Sequence, residues 1–432
     1  MLQKKQCWKR ILYLLIILFL GFIVGLFLLT LANSFPEKNM INRYKQNCTY
    51  FEGKEGWDQL VKGYEITTID YNTEIHMIKG ALTPLPPSDE NIIQQSMRGY
   101  AYNEPGTVHG LKEYHYTKED VDISCDSYER YWHGYEIVLT PLLVFLDYPD
   151  LIIINIVCQG ILSFLVFKEC KESNLKISFI VLWMFTMQPI IMMCLDYSIC
   201  FYIYMIAALL ISKYSYIRKH YDMLFLIIGI QTVYFDFLTW PIITLGVPLV
   251  VLLQMEKENS YRKLLISSIM WGIGYCGMWL SKWIGGTLIL SDNILRDAVI
   301  NLKYRSSSSL DGISFSVLDV LKKNVDVLIN PAYLIFFALG IGILIIFFIS
   351  KKKQSKPILI QNNVLPILGV ALYPILWICI TKNHAYEHYW MTWRNMGVSV
   401  FALVSCIEIN MKKEEIRIHY NESADCRQSP AQ

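Results

Sequence analysis

The sequence predicts an all-α fold, a polytopic transmembrane bundle of about ten crossings with a long external loop after the first helix. Two observations predict it. Of the 432 residues, 54% are hydrophobic and only 18% charged, whereas soluble domains hold about 45–50% apolar and about 25% charged residues. In addition, apolar runs of helical length recur along most of the chain. Mean hydropathy is +0.34. A water-soluble domain has no interior large enough for this apolar surface, and disorder requires the opposite composition. Lys plus Arg number 39 against 37 Asp plus Glu, so no basic surplus points to nucleic acid. The G-x-x-x-x-G-K-[ST] loop of P-loop nucleotidases is absent from the sequence.

Residues 1–10 carry Lys4, Lys5, Lys9 and Arg10 and precede the unbroken apolar run 11–32. A hydrocarbon core of about 30 Å needs about 20 helical residues, so this run spans as a signal anchor. It is longer than the apolar part of a cleaved signal peptide, about 7–15 residues. The flanking cations place the N-terminus in the cytoplasm. Residues 33–134 hold 16 acids and 10 lysines or arginines, an acidic excess that suits the external side. Interspersed Ile66, Ile69, Met77 and Ile78 predict folded, membrane-resting helices, with a break at Pro84–Asp89.

Further apolar runs follow at 135–148, 150–167, 177–194, 198–212, 223–239, 241–254, 264–281, 331–350, 364–381 and 395–410. Lys213, Arg218, Lys219 and His220 mark one cytoplasmic loop, and Lys257, Arg262 and Lys263 another. Lys351–Lys353 with Lys356, and Lys412 with Lys413 in the tail 411–432, complete that side. Parity then requires that the short, Pro141-containing run 135–148 be re-entrant or interfacial. Transmembrane helices therefore fill 135–281 and 331–410, separated by a second external loop at 282–330, with both termini cytoplasmic. The Ser306–Ser309 run beside Asp311 and Gly312 reads as flexible loop.

The eleven cysteines show no C-x-x-C pair. Cys48 and Cys125 share the external segment, where a disulfide is chemically allowed. Asn47-Cys48-Thr49 is a glycosylation sequon.

Ionisable residues collect at the outer helix ends, where they are functional candidates by default. Asp70 and Glu74 lie four apart, so on a helix they share a face. One carboxylate there suits a general base toward a hydroxyl, the other a positioning role; Asp70 also fits a helix cap. Asp196 and Asp236 are acids at outer helix ends, suited to holding acceptor hydroxyls or to closing wetted turns. Lys303 and Arg305 can close over a lipid phosphate or lie solvated. His384-Ala-Tyr-Glu-His388 satisfies the zinc-binding pattern H-x-x-E-H, but the acids downstream of it fall at the opposite membrane face. A cationic reading fits better: Arg394 with His384 or His388 gripping a phosphate, since guanidinium forms bidentate bonds to its oxygens. Tyr131-Trp132-His133-Gly134-Tyr135 reads as an interfacial aromatic belt.

A cytoplasmic N-terminus, one span, a long external loop and about ten further apolar segments resembles the GT-C integral membrane glycosyltransferases, such as the protein O-mannosyltransferase and aminoarabinose-transferase groups. Asp70 in the first external loop and the His384–Arg394 cluster between late helices carry the residue-level likeness. The resemblance implies transfer of a sugar from a polyprenyl-phosphate carrier to a glycan, lipid or protein acceptor at the outer face of the cell membrane. It implies an acid of the first loop as base and cations at the phosphate, with no metal or other cofactor. A transporter or flippase, or a polymerase of lipid-linked cell-surface polysaccharide, is the alternative. The first of these predicts charges or Gly/Pro breaks in mid-helix.

Overall fold

The computed structural model describes residues 2–35, 43, 46–47, 50–51, 54–82, 88–102, 125–173, 175–331, 333–335, 337–340, 342 and 363–408. These residues are mostly helical. Helix α1 (Leu2–Ala32) leads into the segment expected to be external, where strands β1 (Asp58–Gln59) and β2 (Thr68–Ile69) form an antiparallel hairpin. Helices α2 (Tyr71–Leu82) and α3 (Ile92–Arg98) follow, then strand β3 (Tyr100–Tyr102) paired with β4 (Cys125–Ser127). Helix α3 starts at a capping box in which Asn91 and Gln94 satisfy each other's backbone N–H groups.

The bundle comprises α4 (Glu136–Leu143), α5 (Tyr148–Ser173), α6 (Lys176–Phe185), α7 (Gln188–Met192), α8 (Leu195–Lys213), α9 (Ser215–Lys219), α10 (Tyr221–Phe235), α11 (Ile242–Met255) and α12 (Ser260–Leu290). Helix α13 (Ile294–Arg305), the hairpin β5 (Ser309–Leu310) and β6 (Ile313–Ser314), and α14 (Val317–Asp326) fill the segment expected as the second external loop. Residues 331–342 are helical at their described positions. Helices α15 (Val364–Val370), α16 (Tyr373–Ile380), α17 (Lys382–Glu387) and α18 (Tyr389–Thr392) precede a 3-10 turn, Trp393–Met396, and a last helix, α19, over 397–408.

Four described helical stretches are long and apolar enough to cross a membrane: Ile11–Ala32, Tyr148–Cys170, Leu195–Lys213 and Ser260–Leu290. Helix α1 leaves Leu12, Phe19 and Phe27 exposed, as a lipid-facing helix must. Helix α11 is the opposite case. It is buried on every side from Ile242 to Gln254, which explains why its sequence is apolar all round. Helices α10 and α12 approach closely because glycines meet the facing backbone. A Cβ on Gly229 would lie 2.2 Å from the Trp271 carbonyl oxygen, and one on Gly274 would lie 2.2 Å from that of Leu226.

Several boundaries differ from the sequence expectation. The run 177–194 is broken into α6 and α7 at Thr186–Met187, where Met187 is left-handed and Pro189 opens the next helix. A buried net holds this break: Asn155 and Gln159 of α5 donate to the Ser198 hydroxyl of α8, and Gln188 donates to Gln159. The run 364–381 is likewise two helices, with Pro374 at the start of the second. Helix α12 continues to Leu290, so the second external loop starts later than 282. Lys282 marks no helix end because its ammonium donates to the Met97 carbonyl and lies 5.2 Å from the centre of the Trp132 ring.

The run 135–148 does not form one span. Helix α4 has eight residues, about 12 Å at 1.5 Å per residue, too short to cross. The Ser306–Ser309 region forms a turn and hairpin instead of loose loop, with Asp311 and Gly312 at positive φ. Asn47 of the sequon is fully buried. Its amide donates to the Arg43 carbonyl and accepts from the Tyr148 N–H, which leaves no free amide for a glycan. Cys48, Pro84–Pro87, the basic groups at 351–356 and 412–413, and most of the span expected at 331–350 lie outside the described residues.

Candidate active site

A polar cavity of about 530 Å³ lies where the segment 54–135 meets the ends of the bundle helices near Asp196, Thr239 and His384. Its size is within the range of about 300–1,000 Å³ usual for small-molecule sites. Asp70 lies just after β2, where its carboxylate accepts the Thr73 N–H at 3.0 Å and so caps α2. The same side chain is buried and lines the cavity. Burial raises its pKa above the ordinary aspartate range, while the bonds from Thr73 oppose the rise. Asp70 therefore fills both roles read from its position, cap and cavity acid.

Glu74 does not share that face. It is buried among Tyr148, Cys194 and Asp196, accepting the Tyr148 hydroxyl at 2.6 Å and the Asp196 N–H at 2.6 Å. Burial pushes its pKa up to about 7. With its lone pairs engaged and no wall of the cavity its own, Glu74 fastens α2 to the starts of α5 and α8 and does not meet a ligand. Asp236 is similar. It accepts the Thr239 N–H and hydroxyl, closing the turn after α10 and placing Thr239 in the cavity wall.

Asp196 lines the cavity with zero exposure, and neither carboxylate oxygen has a hydrogen-bond partner among the described residues. His384 and His388 also line it. The carbonyl of Leu238 can only accept, so the His384 Nε2 at 2.8 Å carries the proton, and Nδ1 presents a bare lone pair. The His388 Nε2 accepts from the Arg305 guanidinium at 3.2 Å. Burial holds His384 well below its usual range, and burial with Arg305 pushes His388 down to about 3. Both imidazoles are neutral acceptors, a correction to the expectation that they grip phosphate as cations.

Arg394 is corrected as well. It has zero exposure, with its guanidinium 4.2 Å from the centre of the Tyr197 ring and one nitrogen donating to the Trp390 carbonyl. It lies outside the cavity wall and acts on it only through its charge, which is within Coulombic reach of Asp196. Burial lowers its pKa. Lys303 is exposed on α13 and also misses the cavity; Arg305, two residues on, faces it.

The second cation at the cavity is Arg130, which sequence reasoning missed. It donates to Asp297 at 2.9 Å and directly precedes the stretch read as an aromatic belt. His133 and Tyr131 of that stretch also line the cavity. Its outer rim carries Trp57, 46% exposed, edge-on to Trp390.

A second cavity, an apolar furrow of about 630 Å³, runs between α12, α13 and α16. Trp271, Tyr275, Trp279 and Trp283 line it at intervals of four, one face of α12, and Leu376, Trp377 and Ile380 oppose them. That aromatic stripe is legible in the sequence and was the available signal for this furrow. Polar cavity and furrow share four residues: Tyr128, Arg130, Tyr131 and Arg305. Among the described residues, no group of three or more His, Cys, Asp or Glu is placed to hold a metal ion.

No known family model matches the chain, and neither a curated protein nor a solved structure is significantly similar to it.

Proposed function

We propose that this chain is a membrane glycosyltransferase of the GT-C kind, moving a sugar from a polyprenyl-phosphate carrier to an acceptor hydroxyl at the outer face of the cell membrane. The observation that carries the reading is the shared wall: two arginines stand where an aromatic, apolar furrow opens into a polar cavity. A carrier has the same layout, with a hydrocarbon tail, a phosphate and then a sugar. The tail occupies the furrow, Arg130 and Arg305 hold the phosphate oxygens, and the sugar projects toward Asp70.

Chemistry follows from that placement. The acceptor oxygen bonds to the anomeric carbon as the bond from that carbon to the phosphate oxygen breaks. The bonding pair leaves with the phosphate, where the arginines stabilise the developing charge. Asp70 takes the acceptor's proton. The scheme needs no cofactor. It places the ten crossings with both termini in the cytoplasm and the α4 segment at the outer interface.

The test uses the full-length chain in proteoliposomes with a panel of polyprenyl-phosphate sugars. One member is expected to lose its sugar to an acceptor in the wild type, and not with Asp70→Asn or Arg305→Ala at equal folded protein. Movement of the intact carrier across the bilayer without sugar transfer would instead establish a flippase.

A further inference from the structure

Among the described residues, three polar groups of the cavity are buried without a hydrogen-bond partner: the Asp196 carboxylate at both oxygens, Nδ1 of His384 and the indole N–H of Trp390. The Trp390 N–H lies beside the Asp70 carboxylate without a well-aligned bond to it. Leaving such groups unpaired is costly, more so for a charge. Three of them facing one cavity indicate a ligand that supplies the missing partners.

The geometry points to a neutral, polyhydroxylated sugar as the group this floor binds, with hydroxyls donating to Asp196 and to Nδ1 of His384 and one sugar oxygen accepting from Trp390. The inference rests on the glycosyltransferase reading and names the class of sugar transferred. The inventory decides against other ligands. The unsatisfied groups are acceptors on Asp196 and His384 against one donor, the Trp390 N–H, so they favour a ligand rich in O–H groups. A sugar carboxylate would meet Asp196 and Asp70 together, like charges in a water-poor site. An added ammonium would meet Arg130 and Arg305 in the adjoining wall, with the buried Arg394 guanidinium also within Coulombic reach of Asp196. Each reading group is fixed in place. Glu74 holds the Asp196 N–H, the Leu238 carbonyl fixes the His384 tautomer, and Trp390 packs on Trp57.

The experiment measures binding to the full-length protein in nanodiscs by native mass spectrometry. The lipid probes are farnesyl phosphate and its mannosyl, glucosyl, glucuronosyl and 4-amino-arabinosyl forms. Methyl mannoside and methyl glucoside, followed by saturation-transfer NMR, probe the floor without a lipid. At least one hexosyl form is expected to bind about tenfold or more tighter than farnesyl phosphate itself. Asp196→Asn should erase that gain while bare farnesyl phosphate binds within about twofold of wild type. Trp390→Phe, which removes only the N–H and some area, should weaken the same gain and serves if Asp196→Asn does not fold. Equal or greater gain for the glucuronosyl or amino-sugar form, or a hexosyl gain indifferent to both substitutions, overturns the inference. Failure of farnesyl phosphate to bind, with a methyl hexoside still bound through Asp196, would sink the carrier reading and leave the sugar subsite supported. No hexoside binding at all sinks the subsite.

Discussion

The Glu74 carboxylate accepts the backbone N–H of Asp196 at 2.6 Å, so the first turn of α2 is fastened to the first turn of α8. Through that bond α2, which Asp70 caps, is tied to the helix that brings Asp196 to the cavity.

Burial of Glu74 makes stability depend on pH in a predictable direction. Burial raises Glu74 from 4.5 to about 7. Between those values the unfolded chain has released its proton while the folded chain keeps it. The contribution of Glu74 is thus complete below about pH 4.5, falls as pH rises toward 7, and is lost above it. Thermal unfolding in detergent should show this loss in the wild type. Glu74→Gln should flatten it and cost about 1–3 kcal/mol at low pH, because one of the two donors loses its acceptor. An unchanged pH profile in Glu74→Gln would contradict the assignment.

Asp70 is raised by burial and faces the cavity. As the base it must be ionised, so kcat/KM should climb with pH along an acid limb centred above the ordinary aspartate range. Asp70→Asn should remove the limb and slow transfer by about 10²–10⁴-fold. A limb that persists in Asp70→Asn assigns the proton to another group.

Arg130 and Arg305 are expected to contribute comparably to carrier affinity. Alanine at either should weaken farnesyl phosphate binding by about tenfold or more, and lysine should recover only part, since it lacks the planar fork. Arg394→Ala should leave that affinity nearly unchanged and disturb folding instead, having stripped the face of Tyr197. Equal loss in all three variants would contradict the distinction between cavity-lining and buried arginines.

Close packing of α10 on α12 depends on Gly229 and Gly274. Alanine at either forces a methyl against a backbone carbonyl oxygen. Each should destabilise by about 1–3 kcal/mol, as overpacking does. A thermal midpoint equal to wild type in both would show that the helices separate freely.

The membrane class was legible because composition and run length answer directly to a hydrocarbon core. Helix breaks were not. Thr186–Met187 and Ala371–Leu372 interrupt apolar runs without changing their hydropathy, and satisfying a freed backbone depends on neighbours such as Gln159 and Ser198. Lys282 misled for a related reason, since its charge looks like a helix end until the Met97 carbonyl and Trp132 ring are seen against it. Within the site, Asp70, Asp196, Arg305, His384 and His388 were all singled out from their positions at outer helix ends. The direction of each side chain was not written there. Glu74 and Arg394 turn inward, and the two histidines are stripped of charge by burial. Arg130 escaped notice as a single cation among aromatics whose shared wall exists only in three dimensions.

The most direct measurement is a cryo-electron microscopy structure of the full chain in nanodiscs with a non-hydrolysable polyprenyl-phosphonate sugar. The account predicts phosphonate density between Arg130 and Arg305, tail density along Trp271, Tyr275, Trp279 and Trp283, and the sugar over Asp196. Headgroup density away from both arginines, or a furrow filled only by bulk lipid at saturating ligand, would contradict it.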